Sequence, residues 1–234
     1  KPSLFVPVGK ETKYKTLDGR YVEKIKFDSM PEATKWVNEY KNVTNFEYFG
    51  NTRHQYPFIA DEFKGKIDWD MNQIKLLTID IECESENGFP SPEKADQPLI
   101  CITVKDHTTK KIIVFGMGNF VNDREDVQYI NCVTETGLVE TFTKFWVEYN
   151  PDIITGWNVK FFDIPYLMNR FRYLMGDEWL NQFSPWGIVE QKSASVLFAS
   201  REQQVWNIMG VDTLDYLDLY RKFTFVRRES YKLD

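Results

Sequence analysis

The stretch Leu76-Leu77-Thr78-Ile79-Asp80-Ile81-Glu82 decides how this chain is read. It has the makings of a buried strand that carries two acids. Successive side chains on a strand point to opposite faces. Leu77, Ile79 and Ile81 therefore share one face, and Thr78, Asp80 and Glu82 share the other. Two carboxylates side by side on an apolar strand repel each other and lose hydration. A divalent cation offsets both costs. The same Asp-x-Glu, taken alone, also reads as a strand ending at solvent.

Downstream, residues 84–97 form a polar loop containing Asn87-Gly88-Phe89-Pro90, a turn with an aromatic beside it. Strands are expected at 99–104 and 111–115, joined by the polar turn 105–110, and again at 127–133. A helix follows over 136–149, with Leu138, Val139, Phe142, Phe145, Trp146 and Tyr149 at helical spacing. Asn150-Pro151 ends it. A short strand at 153–156 and a loop at 158–162 lead to a helix from Asp163, closed by Gly176. Its stripe is Ile164, Leu167, Met168, Phe171, Leu174 and Met175. Residues 183–210 are irregular and strand-rich, with a hairpin expected between Ser195 and Met209. A last helix is expected over 213–223, before the basic Arg227-Arg228. Upstream, residues 1–72 read as an accessory α+β region. A helix at 31–41 is marked by Ser29 and Glu32 in a capping-box pattern, with Pro31 in the first turn. Residues 48–70 are expected to be short strands and loops. Three strands, then helix–strand–helix, give an α/β class: a mixed sheet flanked by helices.

The bulk numbers narrow the chemistry. The chain has 234 residues, 42% of them hydrophobic, enough for one large domain or for one domain plus a smaller appendage. No apolar run is long enough to span a membrane, so no membrane partner is expected. The three cysteines, Cys83, Cys101 and Cys132, form no CxxC pair and suit a reducing cytoplasm rather than a disulfide framework. His54 and His107 are isolated, which gives histidine chemistry little support. Net charge is −6, not the footprint of a protein that coats duplex DNA. The acids concentrate in residues 76–150, with 13 acidic against 6 basic groups. That block contains the opening strand, and it fits cation binding better than broad phosphate binding. The chain opens on Lys1 rather than Met, so an upstream start is expected.

A two-metal phosphodiester hydrolase needs three or four carboxylates converging from different elements. Asp80 and Glu82 come from one strand. Thr155-Gly156-Trp157-Asn158-Val159-Lys160-Phe161-Phe162-Asp163 places Asn158 and Asp163 at a strand-to-helix turn. Taken singly, Asp163 reads equally as a helix N-cap and Asn158 as a turn residue. Asp80-Ile81-Glu82 resembles the first exonuclease motif of family B DNA polymerases. Thr155-Gly156-Trp157-Asn158 with Phe162-Asp163 resembles the second. The match is strongest to the replicative polymerases of T-even-type bacteriophages and their marine relatives. It extends to Ser29-Met30, Ile164-Pro165-Tyr166-Leu167-Met168-Asn169-Arg170, Phe183-Ser184-Pro185 and Asp215-Tyr216-Leu217-Asp218-Leu219-Tyr220 with Lys222-Phe223.

The resemblance implies a ribonuclease-H-like fold and a 3′→5′ proofreading exonuclease domain over residues 73–234, preceded by part of a polymerase N-terminal domain. It implies Mg²⁺ or Mn²⁺ in a two-metal site, with Asp80, Glu82 and Asp163 as ligands and catalytic groups. Asn158, on the second motif, would help place the substrate backbone, and Phe162 of the same motif would bind substrate. Phe89 matches a position that stacks on unpaired primer bases; it reads equally as a loop aromatic packed on the core. The hairpin matches one that holds primer and template apart, or is a plain surface hairpin. Expected partners are a single-stranded DNA 3′ end or primer–template and the rest of the polymerase. The sliding clamp and replisome proteins are candidates, in the host cytoplasm if phage-encoded. The family's third motif, Tyr-x-x-x-Asp, is sought downstream of the second. Tyr14 to Asp18 has that spacing but precedes the first motif, and Tyr231 to Asp234 is one residue short. The chain is therefore expected to be a piece of a polymerase with an incomplete site, weak or inactive alone. Two other readings stand beside this one: a non-catalytic DNA-binding module of a split polymerase, and a stand-alone nuclease of the same fold. Asp212, Asp215 and Asp218 read as a solvated helix face and cap.

Overall fold

A computed structural model of the chain describes residues 1–86, 88–195, 202–224, 228, 230 and 231. The chain divides into two compact units, Lys1–Trp69 and Asp70–Asp234.

In the first unit, β1 (Ser3–Pro7), β2 (Tyr14–Lys15) and β3 (Tyr21–Lys26) form an antiparallel sheet in the order β1-β3-β2. Helix α1 (Met30–Tyr40) is capped by Ser29, which accepts from the Glu32 N–H. Glu32 answers with a bond from the Asp28 N–H rather than from Ser29, so the expected capping box closes one residue early. The small core of this unit is Leu4, Phe27 and Ala33. Residues expected to be strands and loops include a helix instead, α2 (Gln55–Glu62). It has no side-chain cap and no buried residue, so neither end signal nor apolar stripe announced it.

The second unit is built on a six-stranded mixed sheet. In chain order it contains β4 (Leu76–Cys83), β5 (Leu99–Asp106), β6 (Ile112–Met117), β7 (Val127–Cys132), α3 (Glu135–Tyr149), β8 (Ile153–Gly156) and α4 (Asp163–Met175). Then come β9 (Val189–Ser195), β10 (Glu202–Ile208), β11 (Asp212–Asp215) and α5 (Tyr216–Phe223). The sheet order is β11-β8-β4-β5-β6-β7. Strands β4, β5 and β6 are antiparallel neighbours, while β8 and β11 run parallel on one side and β7 parallel to β6 on the other. Helices α3 and α4 cover the apolar side, where Leu77, Ile79, Leu99, Ile102, Phe115, Phe142, Trp146 and Phe171 are buried in one core. The mixed sheet flanked by helices is the expected α/β architecture.

Two boundaries differ from expectation by three residues or more. Residues 213–215 are not helical: they belong to β11, which pairs in parallel with β8, Asp215 opposite Gly156. Helical spacing was available there, and sheet pairing overrode it. The hairpin starts earlier than Ser195, since β9 and β10 pair from Val189↔Ile208 to Ser195↔Glu202. Its connection at 196–201, Asn87 of the turn, Arg227 and Asp234 lie outside the described residues.

Candidate functional site

The two edges of β4 are used differently. Toward β5 it pairs along nearly its whole length, with Asp80 opposite Thr103 and Glu82 opposite Cys101. Directly opposed residues share a face, so both acids, Thr103 and Cys101 lie on the side of the sheet away from the core. The alternation read from the sequence holds: Leu77, Ile79 and Ile81 are buried, and Asp80 and Glu82 are exposed. Toward β8, pairing stops at Thr78. The chain turns away after Gly156, which runs so close to β4 that an added Cβ would meet the Ile79 carbonyl oxygen at 2.6 Å. Beyond Thr78 that edge of β4 is open, and Asp163 takes it up.

Asp163 is the first residue of α4 and is only 4% exposed. Its Oδ1 accepts from the Ile81 N–H at 3.2 Å. Phe162, not Asp163, stands at the N-cap position, with no side-chain capping bond. Asp163 is thus no cap. It carries a carboxylate from the second motif to the main chain between Asp80 and Glu82.

Burial, and then the charge of Asp80, push the Asp163 carboxyl up to about 7. Desolvation also raises Asp80. Cys83, at the end of β4, is pushed up to about 12, chiefly by burial, and Cys101 is raised for the same reason. Both therefore stay thiols at neutral pH, and it is the thiolate that ligates a metal. What remains is a set of carboxylate oxygens, the donors that hard cations such as Mg²⁺ and Mn²⁺ prefer. Among the described residues, no three His, Cys, Asp or Glu side chains are gathered closely enough to hold an ion as they stand.

The turn before Asp163 is tightly specified. Asn158 sits in the left-handed region at φ 60, which Asn tolerates better than most residues. Its carbonyl accepts from the N–H groups of Phe161 and Phe162 at 3.1 and 2.9 Å. Phe89 is 85% exposed, and its ring lies 5.4 Å from that of Phe162, which in turn stacks on Tyr166. The loop bearing Phe89 is held by α4. The Tyr166 hydroxyl donates to the Gln97 carbonyl at 2.6 Å, Asn169 to Pro92 at 2.7 Å and Arg170 to Ala95 at 3.1 Å.

Two features escaped the sequence reading. Asp215, read within the solvated face and cap of a helix over 213–223, is itself the cap of α5, accepting from the Leu217 N–H, and it is 4% exposed rather than solvated. Its position at the end of a strand, not on a helix face, is what buries it. A Tyr-x-x-x-Asp spacing also exists downstream of the second motif, at Tyr173 to Asp177. Tyr173 is exposed near the far end of α4, ten residues and about 15 Å along the helix from Asp163. Asp177 is exposed beside Arg172. This pair therefore does not join the acids on β4.

Comparison with known proteins agrees with the architecture. The family model for the exonuclease domain of DNA polymerase family B matches residues 33–234. The DNA-directed DNA polymerase of Escherichia phage RB69 is 30% identical over 261 residues, an alignment that takes in all of this chain and 29% of the relative. That of Enterobacteria phage T4 is 29% identical over 258 residues, again across the whole chain and 28% of the relative. The DNA polymerase delta catalytic subunit of Caenorhabditis elegans is 34% identical over 171 residues, covering 68% of this chain and 15% of the relative. The chain thus spans less than a third of the phage polymerases it matches. Exonuclease domains of this kind are generally two-metal nucleases, and the mixed six-stranded sheet is consistent with their ribonuclease-H-like fold. By the match over residues 33–234 and the sheet that carries it, the chain belongs to family B of the DNA polymerases, in the part that forms the exonuclease domain.

Proposed function

We propose that this chain is the proofreading part of a DNA-directed DNA polymerase and shortens DNA from the 3′ end, releasing nucleoside 5′-monophosphates. Its site is Asp80, Glu82 and Asp163, with Mg²⁺ or Mn²⁺ as cofactor. The observation that carries the reading is the bond from Ile81 N–H to Asp163, which joins the acid of the second motif to the strand of the first. Bound at these carboxylates, divalent cations supply Lewis-acid polarisation of the phosphodiester and of water. In the reaction, water adds to phosphorus, the bond to the 3′ oxygen of the preceding nucleotide breaks, and that oxygen takes a proton.

The chain's own residues prepare the substrate. Phe89 and Phe162 offer adjacent rings on which unpaired bases stack, a contact that tolerates any sequence and so suits a mismatched end. Asn158, at the turn leading to Asp163, contacts the DNA backbone. The partners in this reading are a single-stranded 3′ end, the remainder of a polymerase and, through it, the sliding clamp and replisome proteins, in a host cytoplasm. Residues 1–72 are then part of the polymerase's N-terminal domain.

A rival reading, a non-catalytic DNA-binding module, draws support from the lack of any three ligating side chains gathered together among the described residues. One experiment separates the two. Mononucleotide release from a 3′-labelled single-stranded oligonucleotide is measured with Mg²⁺, for the wild type and for Asp80→Ala, in this chain alone and in a whole polymerase that carries it. Release that falls by about 10²-fold or more in Asp80→Ala supports the nuclease. Release that Asp80→Ala leaves intact overturns this site, and a whole polymerase carrying this chain that binds the oligonucleotide without cutting it supports the rival.

A further inference from the structure

Asp215 is a buried acid outside the set proposed to hold metal. Its carboxylate accepts three main-chain N–H groups. Oδ1 takes those of Leu217 at 2.9 Å and Asn158 at 3.1 Å, and Oδ2 takes that of Lys160 at 3.0 Å. The Leu217 bond caps α5. The other two reach across to the turn of the second motif. In the parallel register Asp215 stands opposite Gly156, so it lies where that turn leaves the sheet.

The turn needs such an anchor. Asn158 is held at positive φ, which costs a non-glycine residue energy unless its surroundings fix it. From Asn158 the chain runs five residues to Asp163, whose carboxylate must meet the Ile81 N–H. Gly156 already sets the start of this run against Ile79. With the Asn158 and Lys160 amides tied to Asp215, both ends and the middle are fixed. Charge-assisted bonds to a buried carboxylate are stronger and more directional than neutral ones.

We propose that Asp215 is a positioning residue for the nuclease site: it holds the turn from Asn158 to Lys160 and so sets where Asp163 and the Asn158 side chain stand. The inference rests on the site reading given under Proposed function. Asp215 is outside the set proposed to meet substrate or cation, although its charge also bears on the Asp163 carboxyl. It acts through the main chain of the second motif, as groups behind metal ligands commonly do.

The test places Asp215→Asn in this chain and in a whole polymerase that carries it, turnover being read in the latter because the chain alone is expected to be weak or inactive. The amide keeps the shape but turns an NH₂ toward N–H groups, so at least one bond to the turn is lost. The expected result is a fall of about 10- to 100-fold in turnover on a single-stranded oligonucleotide with Mg²⁺. The oligonucleotide KM changes by less than about threefold, because the reacting groups and not the binding surface are displaced. Amide hydrogen exchange speeds up at Asn158 and Lys160 and stays slow at Ile79 and Val104. A merely structural role would move all these amides together and leave turnover per folded molecule unchanged. If Asp215→Asn does not fold, Asp215→Ser keeps a cap for α5 and still removes the bonds to the turn. Wild-type turnover in a folded variant, alongside activity that Asp80→Ala destroys, overturns this inference and spares the site reading. Activity that survives Asp80→Ala, or none in the wild type even within a whole polymerase that carries it, sinks the site reading and the catalytic half of this one. The anchoring half is then decided by the Asn158 and Lys160 amides, whose unchanged exchange overturns it.

Discussion

At the scale of single residues, the informative group is Asp163. A carboxyl with an ordinary value near 3.8 is held up to about 7 by burial and by Asp80. Between those two values the native chain keeps a proton that the unfolded chain has released. Native stability therefore falls as the pH rises through that window and levels off above it. The loss is on the order of a few kcal/mol. With chelator present, the melting temperature of the wild type should fall between about pH 5 and pH 7.5, and that of Asp163→Asn should fall less. Mg²⁺ should restore the wild type at the higher pH and leave Asp163→Asn unmoved, because an ion that binds only the native state stabilises it. Parallel melting curves for the two proteins would refute the account. Only half of this residue was visible beforehand: the motif marked Asp163 as important, but its spacing allowed a cap. The open edge of β4 that gives it the Ile81 N–H is set by where β8 stops.

At the scale of elements, α3, α4 and the loop after β4 are tied by one buried ion pair. Arg170 donates to both oxygens of Glu135 at 2.7 Å and to the Ala95 carbonyl, and Glu135 accepts the Leu99 N–H at 2.7 Å. Removing one partner strands the other charge where water does not reach. Arg170→Ala should therefore cost about 3–5 kcal/mol in urea unfolding, whereas replacing both with Arg170→Met and Glu135→Leu should cost much less. A single variant within about 0.5 kcal/mol of wild type would show that the pair is not buried as described. The helices themselves were legible, since α3 and α4 follow their apolar period almost residue for residue. The pairing of Arg170 with Glu135 was not, because the two are 35 positions apart and nothing local links them.

At the scale of the molecule, the two units have cores of very different size. The second buries a continuous set of apolar side chains from β4 through α4 to Val211, the first little beyond Leu4, Phe27 and Ala33. Residues 70–234 expressed by themselves should unfold in one cooperative transition by circular dichroism, as a domain with its own core does. A broad or absent transition would show that the second unit depends on the first. The carboxylates on β4, the turn anchored by Asp215 and the Phe89 loop clamped by α4 all belong to this second unit.

The sequence by itself determined the strand with its two-faced alternation, the helices α1, α3 and α4, and the two motifs that mark the family. These are local signals: a period of two, a period of 3.6, caps and short spacings. Only the tertiary structure decided that Asp163 meets Ile81 and that residues 212–215 join β8 as a strand. It also decided that Asp215 turns from a solvated acid into a buried anchor, and that the spacing at Tyr173 lies far from the acids on β4. Each of these depends on contacts between residues distant in the chain. A strand's open edge, a helix's depth and a carboxylate's hydration are set by those contacts and not by neighbouring residues.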